Sequence, residues 1–240
     1  MSEGKQLTVI EHLTELRDRL IRSAIAIAIT TGGAFFFHER LFEILKRPAG
    51  ERLDLIYTEP LEMLSTIFKV TLYSGVAIAL PFLFYEIMMF IAPALTPKEK
   101  RYVYLMLPGV AFFFLAGVSF AYFVALPPAL GFLLSFGANI ARPQIKVGSY
   151  VSTVSTLIFW SGIAFETPMV LYFLARIGLV SPKRMASFRR YAFLLAFALS
   201  AFITPTVDPI NQSIVAVPII LLYELGILLA RLAWRGRPAT

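Results

Sequence analysis

Three acidic residues, Glu86, Glu166 and Glu224, sit inside long apolar runs of a 240-residue chain. An ionisable side chain at bilayer depth costs about 2.5–3.5 kcal/mol on insertion scales, so each of these acids demands a reason. Glu166 lies in WSGIAFETPMVLYFLA, with no basic residue near it in sequence. Pro168 follows two residues later, lacks an amide donor, and frees the carbonyl of Ala164 in the turn before. A carboxyl and a loose carbonyl at one level of a span suit a polar docking pocket. They equally suit a structural hydrogen bond to a neighbouring helix. Glu224, in the middle of LLYELGILL, allows the same two readings. Glu86 stands four residues before Phe90, near the end of its run, and is expected to snorkel to the interface, as Lys69 is expected to snorkel outward.

Two further carboxylates lie outside the apolar runs. In TVIEHLTELRDRLIR, Thr8 and Glu11 have capping-box spacing, and Val9, Ile10, Leu13, Leu16 and Leu20 form an apolar stripe at helical period. The other side carries Glu11, Glu15 and Arg19, then Asp18 with Arg22. As a surface helix this would be laced by Glu15–Arg19 and Asp18–Arg22 pairs worth about 0.3–0.5 kcal/mol each. In FIAPALTPKEKRYV, Thr96 suits an N-cap, Pro97 the first helical position, and Glu99 the capping-box position. Alternatively, Glu15 and Glu99 together offer carboxylates to a cationic ligand. Guanidinium is the natural match, because its planar fork takes a carboxylate through two hydrogen bonds.

Other chemistries find little support. There are no cysteines and two histidines, His12 and His38, and HERLF is not the HExxH spacing, so no metal is expected. There is no G-x-x-x-x-G-K-[ST] loop for a nucleotide and no G-x-S-x-G turn, and neither histidine lies within a span. The chain is expected to be neither an enzyme nor a cofactor binder.

The elements that must position these residues are membrane helices. The chain is 58% hydrophobic, above the share usual in soluble domains. Windows of about 19 residues place spans near 21–37, 67–90, 102–122, 153–175, 191–203 and 214–232, a single membrane domain over 1–240. The first span follows an acid-containing segment and reads as retained, not as a cleaved signal peptide. The fold expected is an all-α integral membrane protein of six transmembrane helices, the fifth and sixth short and forming an antiparallel pair through thinned lipid. Fifteen Lys and Arg fall on one side of this plan and six on the other, which puts both termini in the cytoplasm. The same asymmetry makes PPALGFLLSFGANI (127–140) an external, apolar, partly helical loop. The net charge of +7 then reflects this inward bias and attraction to anionic lipid, with no nucleic-acid partner implied. HERLFEILKRP reads as a short helix on the membrane surface, with Leu41, Phe42 and Leu45 on one side and a stop at Pro48.

HLTELRDRL (12–20), the Pro48 turn, FIAPALTPKEKR (90–101), SFAYFVALPPALGF (119–132), FETP (165–168) and ITPTVDPINQ (203–212) together resemble the TatC family, the multispanning receptor subunits of the twin-arginine protein translocase. The likeness covers nearly the whole chain in order. It implies an inner-membrane receptor for folded proteins whose N-terminal signals carry paired arginines. It also implies an oligomeric complex with single-span TatA- and TatB-type subunits, driven by the proton-motive force. By the same resemblance, Glu15 and Glu99 form the arginine site with Arg17, Phe90, Lys100 and Arg101 adjoining. Glu166 lines a concave pocket for the single-span partners, and Gln212 and Pro48 occupy motif positions. Glu86 departs from the pattern, where Gln is frequent, and Asp208 matches the family's acid only across a one-residue gap. The competing reading is a proton-coupled small-molecule transporter using Glu166 and Glu224; it is disfavoured because the two halves of the chain do not resemble each other.

Overall fold

The computed structural model describes residues 9–48, 55–91, 97–136, 144–204 and 208–235, with side chains omitted at 9, 97–102 and 235. Ten helices lie in the described residues: α1 (Val9–Phe35), α2 (His38–Lys46), α3 (Glu62–Ile91), α4 (Pro97–Phe120), α5 (Leu126–Ser135), α6 (Val147–Phe165), α7 (Thr167–Arg176), α8 (Pro182–Ser187), α9 (Arg189–Ile203) and α10 (Pro209–Arg235). A π-helical turn, Ala121–Ala125, joins α4 to α5. Two-residue strands β1 (Leu55–Ile56) and β2 (Ile145–Lys146) pair in parallel, Leu55 opposite Ile145.

Four helical runs are long and apolar enough to cross a membrane: Glu62–Ile91, Val103–Ser135, Val147–Arg176 and Pro209–Trp234. A fifth arises if Ile10–Phe35 and His38–Lys46, bent by 78°, count as one span. The chain is thus an all-α membrane protein. The sixth expected span is not short. Asp208 accepts the Asn211 amide at 3.0 Å, which starts α10 at Pro209 and extends the helix through the polar residues before the apolar run. Pro218 is absorbed within it. Of that expected pair, α9 alone is short, at 15 residues, or about 22 Å at 1.5 Å per residue against a hydrocarbon core of about 30 Å.

The segment 127–140 is also more regular than a partly helical loop. As far as Ser135 it is helix, continuous with α4 in one run of 33 residues. Pro127 and Pro128 sit in the first turn of α5, where absent amide donors cost little. The π turn just before them takes up the extra residue. Residues 137–140 lie outside the described part.

The apolar stripe of α2 docks on protein, not on the membrane surface. Leu41, Phe42 and Leu45 pack against a buried cluster of α5, α6 and α10 residues that includes Leu126, Val154 and Val215. The end of α2 leaves carbonyls without intrahelical donors. The Tyr122 and Tyr150 hydroxyls donate to Ile44 and Leu45 at 2.8 Å each, so the helix is tied down as it stops before Pro48. On the same side, the Glu62 carboxylate accepts the amides of Thr58 and Gly148, both at 3.0 Å, joining the start of α3 to the start of α6.

Helix α1 crosses α3 at Gly75, where a Cβ would collide with the backbone of Thr31. The Thr30 hydroxyl donates to the Gly75 carbonyl at 2.8 Å, so the two backbones touch directly. Gly75→Ala is therefore expected to lower stability by about 1–3 kcal/mol, the range for overpacking, measured as thermal unfolding in detergent. An unchanged midpoint would show that α1 can move aside freely.

Candidate functional site

The polar side of α1, not its apolar stripe, faces α3. Ile10, Leu13 and Leu20 are exposed, whereas His12, Glu15 and Arg19, at helical spacing, are partly buried. The His12 ring stacks on Phe90 at 4.4 Å between centroids and nearly parallel, at 9°. Arg19 donates from Nε and Nη2 to Glu15 Oε1 at 2.9 and 2.6 Å. Its Nη1 donates to Glu86 Oε2 at 2.7 Å. Glu86 therefore does not snorkel. Its side chain is 4% exposed and faces Arg19 across the α1–α3 contact, with Arg22 3.9 Å from its other oxygen. Pairing removes the reason to reach for water.

The expected Glu15–Arg19 pair thus forms, but as part of a buried bridge. The expected Asp18–Arg22 pair does not: Arg17 takes Asp18 at 2.9 Å, and Arg22 turns to Glu86 instead. Arg17 is 67% exposed. Among the candidate arginine-site residues, the structure brings Glu15 to the end of α3 beside Phe90. Pro97 opens α4 as its position in the sequence suggests. The side chains of Glu99, Lys100 and Arg101, together with Thr8 and Thr96 of the two capping boxes, lie outside the described residues.

The membrane-depth set does not form one cluster. Glu166 sits at the break between α6 and α7, with φ −71° and ψ −10°. It is 5% exposed. The loose carbonyl expected at Ala164 is not left open: the Thr167 hydroxyl donates to it at 2.7 Å. The carboxyl is the group left over. The Phe114 backbone approaches it, yet neither oxygen completes a hydrogen bond within the chain. An apolar cavity of about 410 Å³ opens between α2, α3, α4 and α6, lined by Leu45, Tyr73, Ala77, Phe114, Val118 and Phe159 among others; Glu166 is not part of its lining.

Glu224 has a partner that its span does not reveal. Arg189, at the start of α9, donates to it at 2.7 Å, with the two side chains 46% and 38% exposed. Gln212 Nε2 donates to the Phe197 carbonyl at 2.9 Å. These two bonds hold α9 against α10 at separate levels. Asp208, left open by the sequence, caps α10. On the far side of α10, Gly226 allows close approach to Pro168 and Leu171 of α7, which packs the break at Glu166 against this helix.

Residues 11–218 match the family model described as Sec-independent protein translocase protein (TatC). The chain is 43% identical over 236 residues to the Sec-independent protein translocase protein TatC of Aquifex aeolicus, covering 96% of this chain and 98% of that protein. It is 42% identical to the protein of the same name from Desulforapulum autotrophicum, covering 95% and 86%. Among solved structures it resembles the crystal structure of a twin-arginine translocase receptor, TatC, with a TM-score of 0.79 and 43% identity, covering 93% of this chain and 99% of that one. A second structure of that receptor, in the detergent DDM, gives a TM-score of 0.80 at 44% identity.

Proposed function

The chain belongs to the TatC family of Sec-independent protein translocase proteins, and from that premise we propose that it is the receptor for paired-arginine signal peptides of folded cargo. As a multi-pass membrane protein of this family, it is a component of protein transport. What carries the finer reading is Glu15: a carboxylate on the packed side of α1, beside the stacked His12 and Phe90 at the end of α3. Glu99 follows Phe90 by nine residues in the same cytoplasmic turn of the proposed topology. Two carboxylates there take two guanidinium groups, each through a fork of charge-assisted hydrogen bonds that an ammonium cannot reproduce. Arg17, Lys100 and Arg101 adjoin this site. The test is photocrosslinking of the chain to a signal carrying Arg-Arg against one carrying Lys-Lys. Equal yields would overturn the receptor reading.

Within the membrane, Glu166 and Gln212 are proposed to engage single-span TatA- and TatB-type subunits in an oligomeric complex. The unsatisfied carboxyl of Glu166 supports this, since a polar group at that depth gains from a donor on a partner helix. In this proposal transport draws on the proton-motive force, and anionic lipid meets the basic cytoplasmic side.

The chain is proposed to span the inner membrane six times with both termini cytoplasmic, α9 crossing as the short fifth span. Reporter fusions at Gly4, Lys98, Lys183 and Arg237 are expected to report cytoplasm, and those at Arg52, Arg142 and Asp208 the opposite side. A tail facing outward with an inward N-terminus would make the number of spans odd and remove α9 from the count.

A further inference from the structure

We propose that Arg19 is a resident occupant of the Glu15 half of the arginine site, and that Glu86 is the counter-ion that holds Arg19 when a ligand arginine displaces it. This rests on the receptor reading above and assigns the exchange by which that site opens. Arg19 spends two of its donors on a single oxygen of Glu15 and a third on Glu86. A ligand guanidinium that grips Glu15 through a fork needs both carboxylate oxygens. Oε1 is already taken, so the ligand enters only as Arg19 lets go.

What Arg19 does next decides whether the exchange is feasible. Its side chain is 15% exposed, and a charge so placed is costly without a partner. Glu86, 4% exposed and on the other helix, keeps its bond to Nη1 throughout. Every charge is then paired before and after, with one arginine replacing another on Glu15. The cost of displacing Arg19 is common to every ligand, so the occupant lowers affinity for arginine and lysine alike, and the preference between them is set by the fork on Glu15. Glu86 in this scheme is a positioning residue and does not touch the ligand.

The test uses the full chain in detergent, at fixed salt, with fluorescent Arg-Arg and Lys-Lys signal peptides. Four proteins are compared: wild type, Glu86→Gln, Arg19→Gln, and the double variant. With Glu86→Gln, Glu15 alone balances Arg19 and releases it reluctantly. Arg-Arg affinity is expected to fall about tenfold, the scale of one charge-assisted hydrogen bond. The double variant removes Arg19 and the deeply buried Glu86 together; the carboxylate left over, Glu15, is 23% exposed and keeps access to water, so the fold is kept. It is expected to bind Arg-Arg at least as tightly as wild type, with Lys-Lys binding raised by the same factor and the ratio between the two peptides kept. Arg19→Gln alone is expected to raise both affinities as well, with the ratio kept. A double variant as weak as Glu86→Gln would mean that Arg19 orients Glu15 or that Glu86 contacts the ligand, and would overturn the proposal while leaving the receptor reading intact. Wild-type affinity in Glu86→Gln would also overturn it. Wild type with no preference for Arg-Arg would bring down the receptor reading, and this inference with it.

Discussion

The double variant Glu15→Gln with Glu99→Gln is expected to be nearly silent toward an Arg-Arg signal. Each substitution removes one charge-assisted contact, worth about 1.5–3 kcal/mol, so each single variant should lose about ten- to hundredfold in affinity. If the two sites act independently, the losses multiply to about 10²–10⁴-fold. Neither change should cost the fold. A capping box accepts Gln for Glu at position 99. At position 15, Arg19 keeps its bond to Glu86 when the charge of Glu15 is gone. The same signal with Lys-Lys should start weak and lose less. The measurement is peptide affinity at a stated salt concentration, since salt screens charge pairing with the ligand. Undiminished Arg-Arg binding in the double variant would leave Glu99 a helix cap and Glu15 one end of an internal bridge.

The second large effect is expected at Glu166. Glu166→Leu should reduce export of a folded reporter at least about tenfold, if the carboxyl makes one strong hydrogen bond to a partner helix, while signal binding stays at its wild-type level. Loss of export could not be assigned to a weakened fold. The carboxyl makes no hydrogen bond within the chain, and replacing an unpartnered buried polar group by an apolar one relieves a desolvation cost. Thermal unfolding of the Leu variant should therefore be unchanged or shifted upward. Glu166→Gln keeps the size of the side chain and its hydrogen bonding, so its export should fall between wild type and Leu. Normal export with Leu would make the acid incidental.

The long apolar helices and the carboxylates worth testing were legible in the sequence because both depend on local pattern. Hydropathy over about 19 residues finds a span without knowing its neighbours. Pro168 pointed to a freed carbonyl beside Glu166 because a missing amide donor acts within one turn, although the span was read as continuous and the break between α6 and α7 came only from the structure. What the sequence could not supply was pairing across helices. Glu86 looked like a residue reaching for water because Arg19, its partner, is 67 residues away. Glu224 looked unpartnered for the same reason, with Arg189 35 residues before it. An apolar stripe also misled about α1, since in a membrane the polar side of a helix is the one that packs inward. The length of α10 was missed because INQS reads as loop, although Asp208 supplied the capping residue that makes it helix.

The bridge from Arg19 to Glu86 also sets an order of events during synthesis. Glu86 is made 67 residues after Arg19; at about 5–20 residues per second that is a delay of roughly 3–13 s. Through this interval Arg19 has been made and Glu86 has not. Glu15, four residues from Arg19 on the same helix, is the acid already present to neutralise it. The nascent first helix therefore holds a locally balanced pair ahead of its apolar stretch, and the arrival of Glu86 converts that local pair into a contact between helices. A chain with Gln at position 15 lacks that early partner only until Glu86 arrives, after which Arg19 is paired as before.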